Sequence, residues 1–224
     1  KSLIILVIMT VSSALLTLFK LSNLILQFTA RKLILKKGTI VDSTIIKAPT
    51  STKNREKKRH SEAHSTKKGN VWYFGYKAHV GVDRDSGLIH TVKVTAANVH
   101  DVNVTAELLT GEEETVHGDS GYIGCKKRPE AIIRNKAGKQ IRYKINRKPS
   151  YSKHNSTRSK AQIKRRERQK SSVCAKVEHV FAVIKQQLCF RKTRYRGLRK
   201  QIAKLNILFA LTNLILADRH CLAV

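Results

Sequence analysis

A mixed five-stranded β-sheet with helices packed against it, an α/β fold, is predicted for this chain. Three observations predict it. Short runs rich in β-branched residues recur along the first two thirds of the sequence. Apolar residues step by three and four positions in the last third, which is helical spacing. The order of these runs is three strands first, then alternating helix and strand, and that order builds a mixed sheet rather than a bundle or a sandwich.

Taken in order, Leu3 to Phe19 is almost wholly apolar between Lys1 and Lys20. It reads as a spanning segment, a buried helix, or the remnant of a lost N-terminal domain. Leu21 to Leu35 reads as a helix running into a short strand, stopped by Gly38. Thr39 to Ile46 (TIVDSTII) is β-branched throughout and forms the first sheet strand, with Asp42 inside it. Pro49 to Asn70 is polar and basic without apolar period, so it reads as a loop or arm.

Trp72 to Asp83 and Leu88 to Ala96 alternate and are joined by Asp83-Arg84-Asp85-Ser86-Gly87, which predicts a hairpin. Trp72 and the Tyr73-Phe74 pair are read as core of that hairpin rather than as a stacking platform for DNA. Asn98 to Leu109 suits a helix capped near Asn98 or Asp101. Glu112, Glu113 and Glu114 suit a solvated turn. Thr115 to Asp119 reads as a short strand ending on an acid. Lys127 to Asn135 suggests a helix with Pro129 in its first turn, and Gln140 to Ile145 a fifth strand. The chain is then basic to Lys170, after which Val173, Val177, Val180, Phe181, Ile184 and Leu188 mark one buried helical face. A last helix runs from about Leu198 to Ala217, with Ile202, Leu205, Phe209, Leu211 and Ile215 inward. This is the strand and helix order of the ribonuclease-H-like fold. It divides the chain into an apolar N-terminal segment (1–35), a catalytic-type domain (36–190) and a helical extension (191–224).

Charge narrows the partner. The chain carries 45 Lys and Arg against 15 Asp and Glu, a net charge of +30. Such a domain repels itself and favours a polyanion, with DNA ahead of an anionic membrane. Cys125, Cys174, Cys189 and Cys221 form no CxxC pair and read as free thiols rather than a zinc site.

Against that basic background, a few acids stand out. Asp42 and Asp119 fall on strands that are neighbours in the predicted order, where two carboxylates can share divalent ions. Mg²⁺ takes hard oxygen ligands and stabilises charge on attacking and leaving oxygens in phosphoryl transfer. Glu178 lies off the apolar stripe of its helix, with Lys185 two turns on along nearly the same side. By spacing alone that pair is equally an ordinary exposed helix face. Asp83 and Asp85 suit turn hydrogen bonds, and Asp101 a helix cap. His79, His90, His100 and His117 have no metal-ligand spacing.

Several ordered blocks resemble a known family. They are GTIVDSTIIKAPTSTKN (38–54), KKGNVWYFGYKAHVGVD (67–83), VTAANVHD (94–101), HGDSGYIG (117–124) and VEHVFAVIK (177–185), extended by RKTRYRGLRK (191–200) and LFALTNLILA (208–217). They resemble bacterial insertion-sequence transposases of the DDE class, in the insertion-sequence-five group, over roughly residues 33 to 219. The resemblance implies that Asp42, Asp119 and Glu178 are catalytic ligands of two Mg²⁺ ions, with Mn²⁺ as a substitute. It matches Lys185 to the lysine of the family's Y-x2-R-x3-E-x6-K signature. It further implies strand cleavage at transposon ends, transfer into target DNA, and action as a homodimer in the bacterial cytoplasm, with no membrane role. Lys185, Arg191, Lys192, Arg194 and Arg196 are expected on DNA phosphates.

Three departures qualify the resemblance. Cys174 stands where the signature has Arg, and a thiol cannot bridge phosphate oxygens as a guanidinium does. Ser171 stands where it has Tyr. The N-terminal DNA-binding region expected of the family is missing, so the chain reads as an N-terminally truncated copy. The alternative is therefore a catalytically inactive remnant that only binds DNA.

Overall fold

The computed structural model describes residues 21–53, 55, 57–148 and 157–222, and the apolar run from Leu3 to Phe19 lies outside them. Helix α1 (Leu21–Ala30) buries Leu21, Leu24 and Phe28 on one side. No strand follows it. The chain turns at Ala30–Leu33, and Gly38 opens the first strand instead of ending a segment. Strand β1 (Gly38–Lys47) is buried over most of its length, as expected of a β-branched run in the middle of a sheet.

The sheet has six strands, one more than the sequence predicts. The addition is β2 (His64–Lys68), inside the segment read as a loop. It pairs antiparallel with the start of β3 (Val71–Asp83), and four of its five residues are exposed. β3 pairs with β1 from Gly75 to Asp83 and with β4 (Ile89–Ala96) from Tyr76 to Val82, so the expected hairpin is present. Parallel strands complete the sheet on the other side of β1: β5 (Thr115–Gly118), then β6 (Arg142–Ile145).

Other expectations shift. The helix expected over Asn98–Leu109 shrinks to α2 (Asp101–Val104) and one 3-10 turn, and His100 rather than Asn98 or Asp101 caps it. Lys127–Asn135 forms no helix. A 3-10 turn ends at Lys127, and Tyr143 Oη fixes the following loop by donating to Ile132 O at 2.8 Å. Glu113 is not solvated: it is fully buried and accepts hydrogen bonds from Thr39 Oγ1, Thr110 N, Thr110 Oγ1 and Gly111 N. Asp83 fills the turn role foreseen for it, holding Lys36 N, Asp85 N and Ser86 N.

The basic stretch before Lys170 is already helical. Helix α3 spans Thr157–Ala182 and continues as a π-helical turn, Val183–Gln187. Val177, Val180, Val183 and Ile184 seat it on Ile40, Tyr76, Ala78 and Val80 of the sheet. Helix α4 (Leu198–Leu222) covers the same face through Leu205, Phe209 and Ala210, while Ile202 is 39% exposed and does not point inward. α1 joins this one core cluster. By length and composition Leu198–Arg219 could cross a membrane. In this fold it packs on the sheet, and its Asn213 amide brackets Ile89, accepting from the backbone N–H and donating to the C=O, both at 2.8 Å. Those Ile89 groups sit where the β3–β4 register shifts, so the side chain completes the bonding there.

A candidate carboxylate cleft

Strand register sets the first two acids side by side. In the parallel β1–β5 pair Ile40 faces His117, so two residues further on Asp42 meets Asp119 just past the end of β5. The β5–β6 pair matches Gly118 with Ile145, which brings Asn146 next to Asp119. An Asp-Asp-Asn row thus crosses three parallel strands, from the middle of β1 to just past the ends of β5 and β6. α3 lies over this row, held by Lys170 Nζ donating to Ile145 O at 3.0 Å and by Glu167 accepting from Arg147 N at 2.8 Å. Between them lies a cleft of about 450 Å³, lined by Asp42, Asp119, Asn146, Cys174, Glu178 and Lys185, with Ser43, Lys68 and Ser171 at its sides.

Asp42 is the most perturbed acid. Burial and, less strongly, the neighbouring Asp119 push its carboxyl up to about 7, although Ser43 N donates to its Oδ1 at 2.7 Å. Asp119 is exposed and caps the next 3-10 turn through Gly121 N at 2.9 Å. Glu178 is exposed on the α3 wall. Lys185 is partly buried in the π-helical turn, and burial together with Lys68, Arg191 and Lys47 lowers its affinity for a proton. π-Turns often mark functional positions because they re-aim side chains out of helical register.

Behind Asp42 a second acid organises the strand. Asp101 Oδ1 accepts from Ser43 Oγ at 2.8 Å and Lys77 Nζ at 3.1 Å, and lies 3.4 Å from His79 Nδ1. Burial lowers His79 to about 4, so Lys77 is the charged partner near neutral pH. Asp101 is therefore a strand-fixing residue rather than a cap. Its only sequence signal is its place at the end of the VTAANVHD block, as that of Lys68 is its place in the 67–83 block, and Asn146 gave none. His90 and His117 are buried in the sheet, and burial lowers both to about 4.

The departure at Cys174 falls within the cleft. Burial, then Asp42 and Asp119, push its thiol up to about 11, so it stays neutral where the resemblance expects a cation. Ser171 Oγ accepts from Asn146 Nδ2 at 2.8 Å. Cys125, Cys174 and Cys189 are free thiols. Of the expected DNA contacts only Lys185 lines the cleft. Arg191 is beside it, donating through Nε to Lys185 O at 2.9 Å. Lys192 forms a bridge with Lys47 at the end of β1, and Arg194 and Arg196 are exposed on the loop leading to α4.

The donor set suits a hard divalent cation in kind: three carboxylates share one cleft, and the Asn146 Oδ1 is a buried oxygen with no hydrogen-bond partner. Among the described residues, no three His, Cys, Asp or Glu side chains are close enough together to hold an ion as they stand. No solved structure matches the chain. A family model does: that of the transposase DDE domain, over residues 34–214. That span contains every strand of the sheet together with Asp42, Asp119, Glu178 and Lys185, and the chain belongs to the transposase DDE domain family.

Proposed function

We propose that this chain is an insertion-sequence transposase of the insertion-sequence-five group, which cuts DNA at transposon ends and joins them to target DNA. In this reading the phosphodiester is first hydrolysed to leave a 3′-hydroxyl, which then attacks a target phosphodiester in line and displaces its own 3′-oxygen. The observation that carries it is the gathering of Asp42, Asp119 and Glu178, which lie far apart in the chain, into one cleft with Lys185. Asp42, Asp119 and Glu178 would hold divalent ions, Mg²⁺ or Mn²⁺, whose charge stabilises the attacking and leaving oxygens. Lys185 and Lys68 grip the phosphate, and Asp101 holds Ser43 and hence the backbone donor of Asp42. Residues 126–170 carry eighteen Lys and Arg against two acids, and these bind the flanking backbone without reading sequence. Two copies act on paired ends.

The test is nicking of a transposon-end duplex with and without Mg²⁺. The expected result is metal-dependent cutting that disappears in Asp119→Ala. Cutting that survives this substitution removes the site assignment. A specific observation favours a second reading, a DNA-binding copy without activity. The neutral Cys174 thiol occupies the wall where a guanidinium would meet phosphate. Metal-independent DNA binding with no nicking in any divalent ion would establish it.

A further inference from the structure

Trp72, expected in the core of its hairpin, is instead 68% exposed, and it does not line the cleft. Cys174 does line it, and the reading above gives its sulfur no task. The thiol stands four residues before Glu178 on α3. Residues at that spacing lie one above the other on a helix face, with Cβ atoms roughly 5–6 Å apart. Both open into the same cleft, so α3 presents one sulfur and one carboxylate to the Asp42–Asp119 row. The two aspartates are near enough to the thiol to oppose its ionisation.

These donors keep bonding capacity in hand. Asp42 and Asp119 each use Oδ1 to accept from a backbone N–H, which leaves both Oδ2 atoms. Among the described residues, neither the Cys174 thiol nor the Glu178 carboxylate has a hydrogen-bond or ion-pair partner, although the chain carries 45 Lys and Arg. The exposed Cys189, by contrast, donates to Gln186 O at 3.3 Å. Asn146 adds a buried Oδ1 without a partner at the end of the row. As they stand, these side chains do not converge on one point. The cleft between them measures about 450 Å³, and Asp119 and Glu178 are exposed and unobstructed by a partner cation.

We propose that this cleft takes a thiophilic divalent ion of the zinc class, bound by Cys174 and Glu178 from α3 and by the Asp42–Asp119 pair from the sheet. The proposal rests on the carboxylate cleft of the reading above and changes which ion that cleft prefers. Carboxylates alone favour the hard Mg²⁺, which keeps several of its waters. One thiolate turns the preference toward Zn²⁺ or Cd²⁺, which bond sulfur and still accept carboxylate oxygen. A tetrahedral shell needs four donors, and the helix and the row supply two each by rotation of their side chains. Binding replaces the S–H bond with an S–metal bond and releases that proton to solvent. The ion's charge offsets the two aspartates that oppose the thiolate. A guanidinium at position 174 would repel such an ion, so the departure that removes a phosphate contact also creates a metal ligand.

Cadmium is the probe, because a cadmium–thiolate bond absorbs in the ultraviolet and a cadmium–carboxylate bond does not. The full chain, kept reduced by a phosphine and free of DNA, is titrated with Cd²⁺ while absorbance reports sulfur bonding and calorimetry reports affinity and proton release. The expected result is a single ion per chain with a one-thiolate band and one proton released, unmoved by a roughly hundredfold excess of Mg²⁺. Cys174→Ser is expected to lose the band and at least about a hundredfold in Cd²⁺ affinity, more than an outer-shell partner costs. Glu178→Gln is expected to weaken the site by roughly tenfold or more, and Cys189→Ser to leave it unchanged. Melting curves of the metal-free variants establish that each is folded. Cd²⁺ bound without the band, or a band that survives Cys174→Ser, overturns the proposal. A band lost in Cys174→Ser but indifferent to Glu178→Gln and Asp119→Asn marks a solitary thiol and overturns the shared site. Mn²⁺ binding, followed by electron paramagnetic resonance, separates the two readings. If it is present and lost in Asp119→Asn, the carboxylate site stands without the sulfur; if the unaltered chain binds neither Mn²⁺ nor Cd²⁺, both readings fall.

Discussion

At the scale of single residues, Asp42 separates function from stability. Its carboxyl is held near 7, above its ordinary value of 3.8. A raised acid is a cost that sets in as pH climbs from 3.8 through 7, because the unfolded chain ionises there while burial keeps the folded carboxyl protonated. Asp42→Asn is therefore expected to stabilise the metal-free protein at neutral pH by about 2 kcal/mol, read as a higher melting temperature, while abolishing strand cutting. A residue with only a structural role would lose both together. Cys174 offers the converse test. Cys174→Arg returns a fixed positive charge to a wall facing Asp42 and Asp119, and is expected to raise the nicking rate roughly tenfold or more. An unchanged rate would show that a guanidinium is not what limits this copy.

At the scale of elements, the apolar contact between α4 and β4 contains one buried amide. Asn213 satisfies both backbone groups of Ile89, and the residue is fully buried. Asn213→Leu keeps the volume but strands a donor and an acceptor, and is expected to destabilise the fold by about 3 kcal/mol in denaturant unfolding. Strands β1, β3, β4 and β5 were legible in the sequence because each buries at least one face, which forces a β-branched or alternating pattern. β2 was hidden for the opposite reason: HSTKK buries nothing, and pairing with β3 alone makes it a strand. The first half of α3 was hidden likewise, since it presents no apolar stripe to detect. Asp42 and Asp119 could be paired from strand order, and Glu178 from the family blocks. Asn146 could not be found, because only the β5–β6 register brings it to the cleft. Ile202 misled because it keeps helical step with Leu205 and Phe209 yet lies on the outer side of α4.

At the scale of the whole molecule, buried histidines set the acid limit. His90 and His117 are neutral in the fold, lowered to about 4 against 6.5 when free. The unfolded chain takes up protons first, so stability is full above pH 6.5 and is lost as pH falls toward 4. Each histidine accounts for up to about 3 kcal/mol of that loss, and Asp42 offsets part of it by relief of its own charge. Melting temperatures measured from pH 7 to 4.5 are expected to fall steadily, and His117→Leu, which removes two buried ring nitrogens without partners, is expected to flatten the slope. The topology also shapes how the chain is made. β1 receives one neighbour, β3, within a few dozen residues, but the other, β5, only after Thr115. A chain growing on the ribosome therefore carries four strands gathered on β3, with the β-branched β1 as a bare edge and a greasy face that awaits two late helices. Chaperone capture or clumping of nascent chains belongs to that interval, and shortened products ending before residue 115 should accumulate as insoluble material.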